Sequence, residues 1–212
     1  AQDEASQLVP TLFGRVLRPR VADLCAAPGI KTLQLREALP MGGTIVATDR
    51  HPGRLRRLLA NLSRVGAADV LPAAADMAGG RQAIRGKFDH VLVDAPCSGT
   101  GTFRRHPEIR WRIGPDDLVG HSARQLAILD NAETLLDRRG TLVYAVCSME
   151  PGEGEDTVTR FLDRHPDFDV VDPTDRVPVS ARRLVGEDGA LRTDPVDRMD
   201  GFFAVLLRRR SK

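Results

Sequence analysis

Cysteine is scarce in this sequence, with only Cys25, Cys97 and Cys147 among 212 residues. Their spacing suits no disulfide scaffold. With His51, His90, His106, His121 and His165 they form no metal-ligand pattern. A cystine-stapled secreted domain and a structural zinc site are thereby excluded, and the chain is expected to work in a reducing cytoplasm without a metal. No apolar run approaches the length of a membrane span, and nothing at the start reads as a signal peptide. Aromatic residues make up 4%, with one tryptophan and one tyrosine. A net charge of +2 does not by itself argue for nucleic-acid binding. Lysine occurs only at Lys31, Lys87 and Lys212, so nearly all of the 31 basic residues are arginine. They cluster at Arg54, Arg56 and Arg57, at Arg104 to Arg112, and at Arg208 to Arg210. Arginine suits bidentate phosphate contacts and stacking on bases, although a solvated surface would read the same way. The dinucleotide fingerprint G-x-G-x-x-G is also missing.

The length and a hydrophobic content of 42% suffice for one α/β domain with a full core. Residues 1–212 are therefore read as a single domain without repeats or linkers. The first residue is not methionine and a patterned segment begins at once, as in a piece of a longer chain.

The chain is organised around His90 to Gly101. The apolar run His90 to Val93 has the length and two-sided apolarity of a buried parallel strand. Pro96 ends its ladder, and Gly99 and Gly101 permit a tight turn. Asp94 and Cys97 are thus expected just past the carboxyl end of a central strand, where open α/β sheets place ligands. Cys25 and Cys147 occupy matching places after the runs Val21 to Leu24 and Thr141 to Val146.

The remaining pattern alternates strand and helix. It predicts strands over 20–24, 44–48, 70–71 and 168–171, and a last, antiparallel strand over 201–207. Helices are predicted from about Gln2, over 32–39, from Pro52, over 78–85, from Asp116–Asp117, and over 156–162. Leu55, Leu58, Leu59 and Leu62 form the apolar stripe of the Pro52 helix; Leu118, Leu126, Leu129, Leu135 and Leu136 form that of the Asp116 helix. Residues 100–115 and 178–200 read as irregular, and Trp111, within the first of these, is read as a packing residue. The fold class is a doubly wound α/β sheet.

The loop after the first strand opens onto a helix N-terminus, a setting that favours polar or anionic groups. Asp49, at the end of the second strand, stands where an acid takes ribose hydroxyls. Pro28 and the lack of a second loop glycine argue against a pyrophosphate, which leaves S-adenosylmethionine as the ligand of choice. Asp76 is placed to accept from an adenine amino group. Lys31 either neutralises a methionine carboxylate or covers the helix surface.

Several patches then resemble the Nop/Sun family of RNA (cytosine-C5) methyltransferases. Asp23-Leu24-Cys25-Ala26-Ala27-Pro28-Gly29-Ile30-Lys31-Thr32 is similar to the family's cofactor loop. Asp94-Ala95-Pro96-Cys97-Ser98 is similar to its first cysteine motif. Tyr144-Ala145-Val146-Cys147-Ser148 with Glu150, Glu153 and Glu155 resembles the second. Asp200-Gly201-Phe202-Phe203, Arg104 to Trp111 and Gln2 to Ser6 also match. The loop Arg104 to Trp111 leans towards the bacterial branch acting on small-subunit ribosomal RNA. Ile30 and Gly154 depart from the pattern, where glycine and asparagine are usual. The family's N-terminal RNA-binding extension is expected to be absent.

The resemblance implies a Rossmann-like S-adenosylmethionine-dependent methyltransferase with Cys25, Ala26, Ala27, Pro28, Gly29, Ile30, Lys31, Asp49, Asp76 and Asp94 around the cofactor. It implies Cys147 as nucleophile, Cys97 in product release, Asp94 at base and cofactor, and RNA as partner. Residue pattern alone does not rank the two thiols. The chemistry fits the residues: cytosine C5 becomes nucleophilic only after a thiolate adds at C6. Arg104 or Arg105 would supply the cation that favours the thiolate. The target base must be single-stranded or flipped out. A transfer RNA substrate, an amino-group methyltransferase and a non-catalytic RNA-binding factor on the same fold are the alternatives.

Overall fold

A computed structural model describes residues 2–15, 19–79 and 84–210. The strands are β1 (Arg20–Asp23), β2 (Thr44–Asp49), β3 (Val70–Ala74), β4 (Phe88–Asp94), β5 (Leu136–Val146), β6 (Phe168–Val171), β7 (Leu191–Thr193) and β8 (Phe202–Arg209). The helices are α1 (Glu4–Thr11), α2 (Ile30–Ala38), α3 (Pro52–Arg64), α4 (Pro115–Leu135) and α5 (Glu155–Arg164). One sheet has the order β3-β2-β1-β4-β5-β8-β6. Strands β1 to β5 pair in parallel; β8 runs antiparallel to β5 on one edge and to β6 and β7 on the other. This is the doubly wound, Rossmann-like α/β arrangement expected from the sequence, with an antiparallel C-terminal strand.

The continuous apolar strands are explained by two covered faces. Along β4, Leu92 joins the core layer with α1, α2 and α3, whereas Val91 and Val93 join the layer with α4 and α5. Along β5, Val143 and Ala145 face the first layer and Leu142, Tyr144 and Val146 face the second. Side-chain alternation thus fills both sides of each central strand. Strand order reverses between β1 and β4, so their carboxyl ends frame a crevice suited to ligands.

Several element boundaries differ from expectation. Helix α2 starts at Ile30, because Gly29 takes the left-handed conformation, φ +99°, and opens the helix two residues early. A Cβ at Gly29 would stand 2.4 Å from Leu58 Cδ1, so that position also needs glycine for close helix packing. Strand β3 extends to Ala74; its Pro72 is tolerated because the strand lies at the sheet edge. On α3, Leu58 and Leu62 are buried and Leu55 is half-buried, but Leu59 is exposed and leaves the stripe. Burial of Leu58 contributes about 1.5–3 kcal/mol. Helix α4 begins at Pro115, where the Asp117 carboxylate accepts from the Gly114 N–H at 2.9 Å. Leu118 is only half-buried, and Leu136 belongs to β5.

Irregular stretches prove partly ordered. Residues Thr100–Thr102 and Pro107–Trp111 form 3-10 turns, and β7 lies within 178–200. Trp111 is 85% exposed, so it is not the packing residue expected. Half of the helix expected over 78–85 falls on residues 80–83, outside the described residues; the described residues 78, 79, 84 and 85 are not helical. Among the described residues, no helix is long and apolar enough to cross a membrane.

Candidate active site

Parallel pairing places the carboxyl ends of β1 to β5 on one side. Asp23, Asp49 and Asp94 close their strands there, Asp76 lies two residues past β3, and Cys147 follows β5 directly. A cleft of about 350 Å³ opens among them. Its walls include Cys25, Lys31, Asp49, Asp76, Asp94, Cys97 and Cys147. A second cavity, of about 250 Å³, adjoins it and shares Lys31, Asp94, Cys147 and Phe202. Ala26, Ala27, Pro28 and Ile30 face this second cavity. Gly29 lines neither one, and its part is to set the turn.

The first cleft has the features of a nucleoside site. Asp49 is buried and receives the His51 N–H at 2.9 Å, with Arg54 3.5 Å from its other oxygen. Arg54 also donates to the Ala27 carbonyl at 2.7 Å, fixing the loop against α3. Asp76 accepts from the Ala78 N–H and from Arg124, so the adenine contact expected of it would have to share that carboxylate. Cys25 is half-buried, and burial first, then Asp23, Asp94 and Asp49, drive its thiol well above the ordinary range. It is a neutral wall rather than a nucleophile. The donor set and volume fit an uncharged adenosine with an amino-acid tail, within the usual range for small-ligand sites.

Lys31 follows neither expectation alone. Early opening of α2 puts it in the first turn, where its Nζ lies 2.7 Å from Asp94 Oδ2 and 5.3 Å from the Phe202 ring centre. Beneath it, Asp23 is fully buried. Its Oδ2 accepts from Thr32 Oγ1 at 2.7 Å, and its Oδ1 has no hydrogen-bond partner. Burial pushes its carboxyl up to about 7.

The two thiols meet. Cys97 Sγ and Cys147 Sγ are 3.2 Å apart, although 50 residues separate them in sequence. A hydrogen bond from the Cys97 thiol holds the Cys147 thiol below its ordinary value; burial and Asp94 oppose this, and Lys31 adds to it. The same contact, burial, the charge of Cys147 and then the Glu153 carboxylate hold the Cys97 thiol well above its ordinary value. Cys147 is therefore the sulfur favoured as thiolate, and Cys97 the one that keeps a proton. The cation beside the pair is Lys31. Arg104 and Arg105 were expected in that place. Arg104 binds Asp3 at 2.9 Å, and Arg105 makes a two-point ion pair with buried Asp200, though Arg105 still feels the charge of Cys147.

Residues 16–208 match the family model described as 16S rRNA methyltransferase RsmB/F. The chain belongs to that family. It is 38% identical to the ribosomal RNA small subunit methyltransferase B of Vibrio cholerae, over 97% of this chain and 45% of that protein. It is 33% identical to the probable ribosomal RNA small subunit methyltransferase B of Bacillus subtilis, over 99% and 47%. The chain thus spans about half the length of these curated relatives. NSun6 from Pyrococcus horikoshii, solved with SFG, shares the fold with a TM-score of 0.84 at 24% identity, covering all of this chain and 53% of that one.

Set against the family's motifs, the structure brings Asp94, Cys97 and Cys147 together and gathers Cys25, Lys31, Asp49 and Asp76 around the adjoining cleft. Four further residues shape the site without having been singled out. Phe202 floors both cavities. Ser98, Ser148 and Glu153 form a buried polar knot behind the thiols. Ser98 and Ser148 each follow a motif cysteine directly, and Glu153 and Phe202 lie within the quoted motifs, which was the available signal. Gly154 stands with its Cα against Phe203; a Cβ there would lie 3.1 Å from the ring.

Proposed function

We propose that this chain transfers a methyl group from S-adenosylmethionine to C5 of a cytosine in small-subunit ribosomal RNA, through a covalent adduct on Cys147. The observation that carries this reading is the 3.2 Å approach of Cys97 and Cys147 beside Asp94, with Cys147 and Asp94 lining both cavities and Cys97 the first. The family relationship supports the RNA class, and the fold of a relative solved with SFG, an S-adenosylmethionine analogue, supports the cofactor.

S-adenosylmethionine in the first cleft would be held by Cys25, Lys31, Asp49 and Asp76 and would supply the methyl group. The second cavity would take the base. Cys147, as thiolate, adds to C6, which makes C5 electron-rich. Asp94, bound to Lys31, contacts the base and the cofactor end. Cys97 begins as a thiol because a charged sulfur lies against it. Once Cys147 is bonded to carbon, that repulsion is gone and the Cys97 proton is held less tightly. Cys97 can then release its proton to water and, as thiolate, accept the C5 proton as the C6–sulfur bond breaks and Cys147 leaves as thiolate.

The test is methyl transfer from labelled S-adenosylmethionine to small-subunit ribosomal RNA. Cys147→Ala should abolish transfer, and Cys97→Ala should accumulate a protein–RNA adduct that survives denaturing electrophoresis. The opposite pattern would make Cys97 the nucleophile. Labelling of transfer RNA and not ribosomal RNA would correct the substrate.

A further inference from the structure

Glu153 is fully buried, yet among the described residues no arginine, lysine or histidine forms an ion pair with it. Its carboxylate instead collects four hydrogen bonds. Oε1 accepts from the Ser98 N–H at 2.9 Å and from Gln125 Nε2 at 2.9 Å. Oε2 accepts from Ser148 Oγ at 2.6 Å and from Ser98 Oγ. Ser98 is the residue after Cys97, and Ser148 the residue after Cys147. One carboxylate therefore fastens both cysteine turns, and Gln125 ties it to α4. The turns are joined again where the Gly101 N–H donates to the Cys147 carbonyl at 3.2 Å.

A buried charge without a cation is a costly way to make hydrogen bonds that a neutral amide could partly make. Its charge has a use here. We propose that Glu153 is a positioning residue whose carboxylate sets the two sulfurs face to face and whose charge confines their shared proton to Cys97. This rests on Cys147 being the nucleophile, and it adds a reason for that choice.

The groups facing the sulfurs from each side are consistent with it. Lys31 of α2 and Asp94 of β4 act on Cys147, and Arg105 of the loop after Gly101 feels it. Glu153 acts on Cys97 from behind. Tyr144 of β5 lies near Cys97 and Glu153, but burial first, and the Glu153 charge, hold its hydroxyl neutral, and it donates to the Glu153 backbone carbonyl. Negative charge thus lies behind Cys97, and the positive charge of Lys31 beside Cys147.

The experiment is limited alkylation of the whole chain with iodoacetamide across pH, each cysteine being read by peptide mass spectrometry. It needs neither RNA nor cofactor, so its outcome is separate from that of the transfer assay. In the unaltered protein Cys147 should label at lower pH than Cys97. In Glu153→Gln the Cys97 midpoint should fall and the preference for Cys147 shrink by about tenfold, the equivalent of one pKa unit. Glu153→Asp, which keeps the charge, should restore part of the preference. Unchanged midpoints in Glu153→Gln with only a lower melting temperature would overturn the proposal. A second measurement does not depend on that variant folding. In Cys147→Ser, Cys97 should still titrate above a free thiol, and a return to the ordinary value would also overturn it.

Discussion

Replacing Asp23 by asparagine should stabilise the protein in alkaline solution and not in acid. Asp23 is fully buried at the end of β1, and burial raises its pKa from 3.8 to about 7. The folded state thus keeps a proton that the unfolded chain has already released, and stability falls as pH rises between those two values. The interval corresponds to about 4 kcal/mol at 1.36 kcal/mol per pH unit, complete only above pH 7. Asparagine keeps the acceptor for Thr32 but sets an amide where Oδ1 now has no partner, costing about 1–2 kcal/mol. Near pH 5 the two effects should offset each other. At pH 8 the variant should be more stable by about 2–3 kcal/mol. Urea unfolding of both proteins at pH 5 and pH 8 measures the difference, with all other titrations cancelling between them. A gap that does not widen with pH would show that Asp23 is not forced to ionise inside the fold.

Two other substitutions probe different parts of the site. Asp49→Ala removes the buried carboxylate at the end of β2 and should weaken S-adenosylmethionine binding in calorimetry by about 10- to 100-fold, the range of a charge-assisted hydrogen bond; unchanged affinity would remove Asp49 from the site. Gly101→Ala would place a Cβ 1.9 Å from the Gly201 carbonyl oxygen. Backbone must then move, so a loss of about 3 kcal/mol is expected, lowering the melting temperature by about 6–12 °C, and an unaltered melting curve would contradict that packing.

Much of this site was legible because parallel strands impose a simple geometry. An acid or cysteine just after an apolar run must lie at the carboxyl edge of the sheet, and so Asp49, Asp94, Cys97 and Cys147 could be placed from spacing alone. The ranking of the thiols could not be read that way. It depends first on Cys97 meeting Cys147 across 50 residues, and then on Lys31, held by Asp94 63 residues away, standing near Cys147. Arg104 and Arg105 are engaged chiefly by other carboxylates for a related reason, although Arg105 still feels Cys147. Their carboxylate partners, Asp3 and Asp200, come from opposite ends of the chain. Leu59 and Leu136 went astray because periodicity marks a stripe but neither its exact edge nor the residue at which a helix gives way to a strand.

Strand β8 carries a consequence for the sheet and the site together. It covers β5 from Thr141 to Val146, and the Gly201 N–H just before it donates to Gly101 at 2.7 Å. Without β8, β5 would be a bare edge and both cavities would lack the wall that Phe202 supplies. A chain lacking β8 should therefore leave β5 open to pairing with other strands, whereas the Glu153 bonds that join the two cysteine turns lie wholly upstream of β8.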